Sequence, residues 1–273
     1  MAELNSRALA QEFLEVRGRG GSLTPPSARF ENWNLAAGYA VGTELDRLRR
    51  EQCWVPAGRK IGFTNKTIWP ALGMDTVIWA YTYDQTVNYL TGNQAELSLA
   101  GTYSTLIEPE IVFKLKAPIT ADDRLDDGAA LLEKVEWLAL GYEIVDCNFP
   151  EWKFVPSDAV ADFGLHYRLF IGDRQPVTDP ARLAEELHSF KIKLFKNNQE
   201  AAQGSGSDVL DSSPVLALGW LARTLAQQGA PALEAGEVIT TGTITPAPQV
   251  KPGEFWHATV DGIDLPALGI NFT

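Results

Sequence analysis

The chain is short of cysteine, histidine and basic residues. Its 273 residues include two Cys and three His. Cys53 and Cys147 follow no repeated spacing, so neither a disulfide framework nor a Cys/His zinc cage can be written from them. Lys and Arg number 23 against 35 Asp and Glu, a formal net charge of -12. That balance leaves little from which to build the basic face a phosphate backbone needs, so nucleic acid is not an expected partner. No apolar run approaches the roughly 20 residues that cross a bilayer, and no secretory leader opens the chain. The expectation is a cytoplasmic protein with reduced thiols and no membrane partner.

What is present is ordinary globular material, 45% hydrophobic and 21% charged, enough to bury one large domain or a domain with an arm. Residues 2–17 and 33–52 carry apolar side chains at helical spacing, separated by the breaker RGRGGSLTPPS (17–27). From Lys60 onward the pattern changes to short strands and Gly/Pro punctuation. Strands are expected within EPEIVFKLK, HYRLFIG (166–172), FKIKLFKN (190–197), EVITTGT (237–243) and FWHATVDG (255–262). Two helices interrupt them, 129–140 and 214–228, the second with Ser212 or Ser213 as N-cap and Pro214 in its first turn. The division drawn is a helical N-terminal region, 1–55, ahead of a mainly β body, 56–273: an α+β chain.

The chemistry starts in LIEPEIVFKLK (106–116). Glu108 and Glu110 are two apart, so on a strand they share a face about 7 Å apart. Like charges so placed raise one another's pKa unless a cation lies between them, and oxygen-only ligands favour Mg2+ or Mn2+ over zinc. A third acid is available in LALGYEIVDCN, either Glu143 or Asp146. The bland alternative is that both glutamates solvate the outer face of an edge strand, where Pro109 costs no ladder hydrogen bond.

Six segments in order, KIGFTNK (60–66), EPEIVF (108–113), GYEIVDCNFPEWKF (141–154), DAVADFG (158–164), PVLALGWLARTLAQQGAPALEAGEVITTGT (214–243) and VKPGE (250–254), resemble the hydratase/decarboxylase branch of the fumarylacetoacetate hydrolase superfamily. The resemblance runs from about residue 25 to the C-terminus. It implies a mixed β-roll or barrel body and a metal held by Glu108, Glu110 and Glu143. It also implies small 2-oxo or 2-hydroxydienoic acid substrates, with hydration, decarboxylation or C–C cleavage as the reaction. Lys60 resembles the active-site lysine, expected to have a lowered pKa, and Asp84 falls where the family has an acid that activates water. Thr241, Gly242 and Thr243 resemble the segment that faces the substrate carboxylate, and Lys153 matches a recurring lysine. A homo-oligomer, with association to a pathway enzyme, is a further implication, as is the contrasting reading of a non-catalytic partner subunit. Where relatives read A-D-N-x-S, this chain has Ala161, Asp162, Phe163, Gly164 and Leu165. His166 follows, either as a replacement polar group or as a satisfied strand histidine. Trp69, Trp79, Tyr81 and Tyr83 crowd residues 68–83 and are expected in the core or at a subunit contact, with one or two free to line the pocket.

Overall fold

The computed structural model describes residues 4–273. Seven α-helices are present among these residues: α1 (Ser6–Arg19), α2 (Leu35–Glu51), α3 (Trp69–Leu72), α4 (Gly128–Leu132), α5 (Pro156–Ala161), α6 (Pro180–Ser189) and α7 (Pro214–Gln227). The strands are β1 (Pro56–Gly62), β2 (Ile78–Tyr83), β3 (Val87–Tyr89), β4 (Gln94–Leu97), β5 (Thr105–Leu115), β6 (Val135–Asp146), β7 (His166–Ile171), β8 (Gln175–Pro176), β9 (Lys191–Lys196), β10 (Gln199–Ser205), β11 (Val238–Thr240), β12 (Phe255–Asp261) and β13 (Leu268–Phe272). One sheet runs β2-β1-β11-β5-β6-β7-β3, with β8 beside β6; a second runs β10-β9-β12-β13-β4. Both curl, giving a mixed α+β architecture.

Local sequence explains the helices. The Asn5 side chain caps α1 by accepting the Ala8 N–H at 3.0 Å, and Asn34 does the same for α2 from Ala37, satisfying donors that a helix start leaves free. Gly38, Val41, Leu45 and Leu48 make the buried stripe of α2. At Gly38 a Cβ would lie 2.4 Å from the Ser157 carbonyl oxygen, so only glycine lets α2 approach α5 this closely. Both N-terminal helices share a hydrophobic cluster with the body: Phe13 and Leu45 meet Val145, Phe149 and Val160. Each such fully buried side chain contributes about 2 kcal/mol. Ser213 occupies the N-cap position of α7 without a side-chain hydrogen bond.

The helix expected over 129–140 is a correction. Only Gly128–Leu132 is helical, and Val135 begins the twelve-residue strand β6. Residues 138–146 of β6 are buried throughout, because both faces of the strand are packed: Leu138, Leu140, Tyr142 and Ile144 join the main core, and Ala139 and Val145 other clusters. A strand covered on both sides reads as a continuous apolar run, which periodicity alone does not separate from a helix. α6, which no expectation covered, caps itself with Asp179 and Pro180.

A buried carboxylate cluster as the candidate active site

β5 and β6 pair so that Glu108 lies directly opposite Glu143 and Glu110 opposite Gly141. The alternation of β5 brings Glu108 and Glu110 to one face. One carboxylate oxygen from each of Glu108, Glu110 and Glu143 lies within 4.8 Å of the others. Glu110 and Glu143 are fully buried, and Glu108 lines a cavity of about 780 Å3. Pro109 does not mark an edge, since β5 is interior to the sheet. It lies beyond the last β11 pairing, where its carbonyl accepts the Ile244 N–H at 3.0 Å.

Lys60 reaches the cluster from β1. Its Nζ is 3.3 Å from Glu143 Oε2 and donates to the Gly164 carbonyl at 3.0 Å. Burial pushes the ammonium's pKa down, yet Glu143, Glu108 and Glu110 together outweigh it and hold it above its ordinary value. The lowering expected from the sequence belongs to a lysine beside a bound cation; in the metal-free cluster the acids, Glu143 foremost, set the opposite direction. Burial drives Glu108 up to about 7. Burial, with Glu143 and Glu108 as like-charged neighbours, drives Glu110 well above the ordinary carboxylate range. Burial opposes ionisation of Glu143 too, but Lys60 and His166 overcome it and keep this group low. The cluster therefore divides into one stable anion, Glu143, and two carboxyls that burial and like charge make reluctant to ionise when no cation is present.

His166 completes the cluster. Its Nδ1 lies 2.9 Å from Glu143 Oε1 and its Nε2 2.9 Å from Thr86 Oγ1. Burial keeps the ring neutral, which assigns Nδ1 as the donor to Glu143. The Gly242 N–H donates to Glu110 Oε2 at 2.8 Å, while Glu110 Oε1 has no hydrogen-bond partner. A buried carboxylate oxygen left bare is costly. Three convergent oxygens, one of them orphaned, are the donor set a hard divalent cation accepts.

The remaining expected site residues divide. Thr243 lines the cavity beside Gly242. Thr241 does not: its hydroxyl donates to the Ile111 carbonyl at 2.9 Å and the residue is fully buried. Gly242, at φ 91°, breaks the strand alternation that would have put Thr241 and Thr243 on one face. Asp84 is exposed at the turn after β2, where its Oδ1 accepts the Val55 N–H at 3.0 Å. It closes a turn and stays outside the cavity. Asp146 is likewise a loop clamp, accepting the Ser104 N–H at 2.8 Å and the Tyr103 N–H at 3.1 Å. Lys153 points to solvent and pairs with Glu151. Its extended backbone turns its neighbours Trp152 and Phe154 inward to the cavity wall. Those two, with Phe63, Thr64, Ile78 and Leu165, form the lining that sequence reasoning missed. Alternation around an exposed lysine was the available signal. None of Trp69, Trp79, Tyr81 and Tyr83 lines this cavity: Trp69 packs edge-on against Trp220, and the other three border a separate one near α2.

Fold and site define a class, a mixed-sheet protein with three convergent carboxylates and a buried lysine at a cavity lined by both apolar and polar side chains. No family model matches the chain. It is 29% identical to the 2-hydroxyhexa-2,4-dienoate hydratase of Comamonas testosteroni, across 96% of this chain and 98% of that protein. It is 32% identical to a 4-oxalocrotonate decarboxylase of a Pseudomonas species, across 72% of this chain and 71% of that protein. The solved 4-oxalocrotonate decarboxylase of Pseudomonas putida G7, complexed with magnesium and adipate, shares the fold at a TM-score of 0.88 and 24% identity, both chains covered in full. The chain belongs to the hydratase/decarboxylase branch of the fumarylacetoacetate hydrolase superfamily.

Proposed function

We propose that this chain is a metal-dependent lyase that adds water to a 2-hydroxy-2,4-dienoate of the 2-keto-4-pentenoate type, giving a 4-hydroxy-2-oxo acid in aromatic-compound degradation. The observation that carries the reading is the convergence of Glu108, Glu110 and Glu143 beside Lys60, with Glu110 Oε1 unpartnered. Three buried acids facing one lysine are unfavourable for a scaffold and useful for holding Mg2+ or Mn2+. When bound, such an ion supplies Lewis-acid stabilisation of negative charge developing on a 2-oxo acid.

The protein's own groups do the rest. Lys60, with Nζ 3.3 Å from Glu143, is placed to offer a cation to a developing oxyanion and a proton at Nζ for the carbon chain. Glu143 orients that ammonium and is itself fixed by His166. The Gly242 N–H fixes Glu110, and Thr243 presents a polar edge to the cavity. Phe63, Ile78, Trp152, Phe154 and Leu165 exclude water from the hydrocarbon end.

A carboxy-lyase acting on a 2-oxo-dioate, or a C–C bond hydrolase, would use the same cluster, and a decarboxylase is among the relatives. One observation favours the hydratase: among the described side chains lining the cavity, Lys60 alone is cationic, so a second substrate carboxylate would find neutral donors such as Asn65 and Gln203 but no second cation. In this reading the chain works in the cytoplasm as a homo-oligomer that can associate with a pathway enzyme; a monomer by light scattering at micromolar concentration would contradict the first part. The activity is tested with Mg2+ and two dienoates, one bearing a terminal carboxylate. A product heavier by one water supports the hydratase, one lighter by carbon dioxide supports the carboxy-lyase, and no turnover of either would leave the non-catalytic subunit as the better reading.

A further inference from the structure

Between α5 and β7 the backbone runs through three successive left-handed residues, Phe163, Gly164 and Leu165, at φ 54°, 60° and 64°. Gly164 has a reason to be glycine, since a Cβ there would lie 2.8 Å from Lys60 Cδ. Phe163 and Leu165 have none of their own. A non-glycine residue held there costs about 1 to 3 kcal/mol, and persists only where its surroundings over-determine it. This turn also carries two groups of the cluster: the Gly164 carbonyl takes the Lys60 Nζ at 3.0 Å, and His166, the next residue after the turn, holds Glu143.

Arg17 supplies the over-determination, and it comes from α1, the helix farthest from the site in sequence. Its Nε pairs with Asp162 Oδ1. Its Nη1 donates to the His166 carbonyl at 3.0 Å, and its Nη2 lies 3.2 Å from the carbonyls of both Asp146 and Asp162. One guanidinium thus ties both ends of the strained turn to the end of β6, three residues past Glu143. The Arg17 side chain is 9% exposed and Asp162 fully buried. Arg17 also lies 5.7 Å from the centre of the Phe163 ring. A planar fork of donors can bridge three carbonyls and a carboxylate at once, whereas an ammonium cannot.

We propose that Arg17 is a positioning residue for the active site: it holds the turn Phe163–Leu165, and through it the Gly164 carbonyl on Lys60 and the His166 ring on Glu143. For its kinetic arm this rests on the reading under Proposed function. None of the residues Arg17 touches, Asp146, Asp162, Phe163 and His166, lines the cavity, so its loss acts on turnover and on cation binding more than on substrate affinity.

The test is Arg17→Lys, which keeps the charge and loses the fork, beside Arg17→Ala assayed with and without millimolar guanidinium. Arg17→Ala strands Asp162 in the core. Should it fail to fold, Arg17→Met with Asp162→Asn removes both charges together. The expected result for Arg17→Lys is a kcat lower by about 10-fold or more, a KM within about 3-fold of the parent, and Mn2+ affinity by electron paramagnetic resonance weakened about 10-fold, the usual effect of losing a group that orients a ligand. Guanidinium should restore kcat to Arg17→Ala. In metal-free protein the His166 ring nitrogen resonances, assigned with a His166→Gln control, should shift in Arg17→Lys. A folded Arg17→Lys with a lower melting temperature but unchanged kcat, Mn2+ affinity and His166 resonances would make Arg17 structural only and overturn the proposal. If the parent protein neither binds Mn2+ nor turns over a dienoate, the lyase reading fails instead, and the His166 resonances alone decide whether Arg17 positions the cluster.

Discussion

Replacing Gly242 by alanine should damage the site in a measurable and calculable way. Gly242 sits at φ 91°, and a Cβ there would lie 2.0 Å from Thr64 Oγ1 and 2.5 Å from its Cγ2. Alanine must therefore accept a left-handed backbone at about 1 to 3 kcal/mol, and either Thr64 or residue 242 must move. Movement of 242 draws its N–H away from Glu110 Oε2, now at 2.8 Å. That hydrogen bond contributes about 1 kcal/mol while Glu110 holds its proton and about 2 once it is ionised. Together the losses come to about 2 to 5 kcal/mol, which for a chain of this length lowers Tm by roughly 3 to 9 °C. Circular dichroism melts of the metal-free chain and a Mn2+ titration check it, the second because Glu110 loses the donor that orients it. A Tm within about 2 °C of the parent together with unchanged Mn2+ affinity would show that neither the close approach to Thr64 nor the hydrogen bond to Glu110 matters.

Lys60→Met should cut turnover by about 100-fold, the usual size of a lost proton carrier, without weakening Mg2+ binding. Normal turnover in that variant, with Asp84→Asn losing the rate, would move the proton chemistry to Asp84. We expect the reverse, that Asp84→Asn stays within about 2-fold of the parent, because its side-chain oxygen still accepts the Val55 N–H. In the metal-free chain burial raises Glu108 to about 7 and Glu110 well above the ordinary carboxylate range, against 4.5 in an unfolded chain. Groups so raised stabilise the fold below 4.5 and lose that contribution as pH climbs through their folded values. His166, lowered by burial from 6.5, changes stability only below that pH. Melting temperature of the stripped protein should therefore fall as pH rises from 6.5 through about 7, the value of Glu108, and saturating Mg2+ should flatten the decline; a Tm independent of pH without metal would count against the buried-cluster electrostatics.

The strand carrying Glu108 and Glu110 was legible because its period-two alternation and its acid pair survive in any context. The two N-terminal helices were legible because their apolar spacing and the breaker between them are local signals; their Asn5 and Asn34 caps appeared only in the structure. Residues 135–140 were not, since a strand buried on both faces loses its period. Glu143 could not be chosen over Asp146 from spacing. The choice is made by the β5–β6 register, which sets Glu143 opposite Glu108 and turns Asp146 onto the 103–105 loop. Lys153 and Asp84 were misplaced because motif position fixes the backbone but not which way a side chain points. The Arg17 contact joins positions 145 residues apart, and no local pattern carries such information.

The most direct test is calorimetric titration of Mn2+ into chelator-stripped parent, Glu108→Ala and Glu110→Ala, with turnover of a 2-hydroxy-2,4-dienoate followed on the same samples. The account predicts that the parent binds one ion and regains activity with it. Both variants stay folded, since removing one anion opens no apolar cavity, and lose binding and turnover together. Turnover that survives stripping, or full metal-dependent activity in both variants, would contradict it.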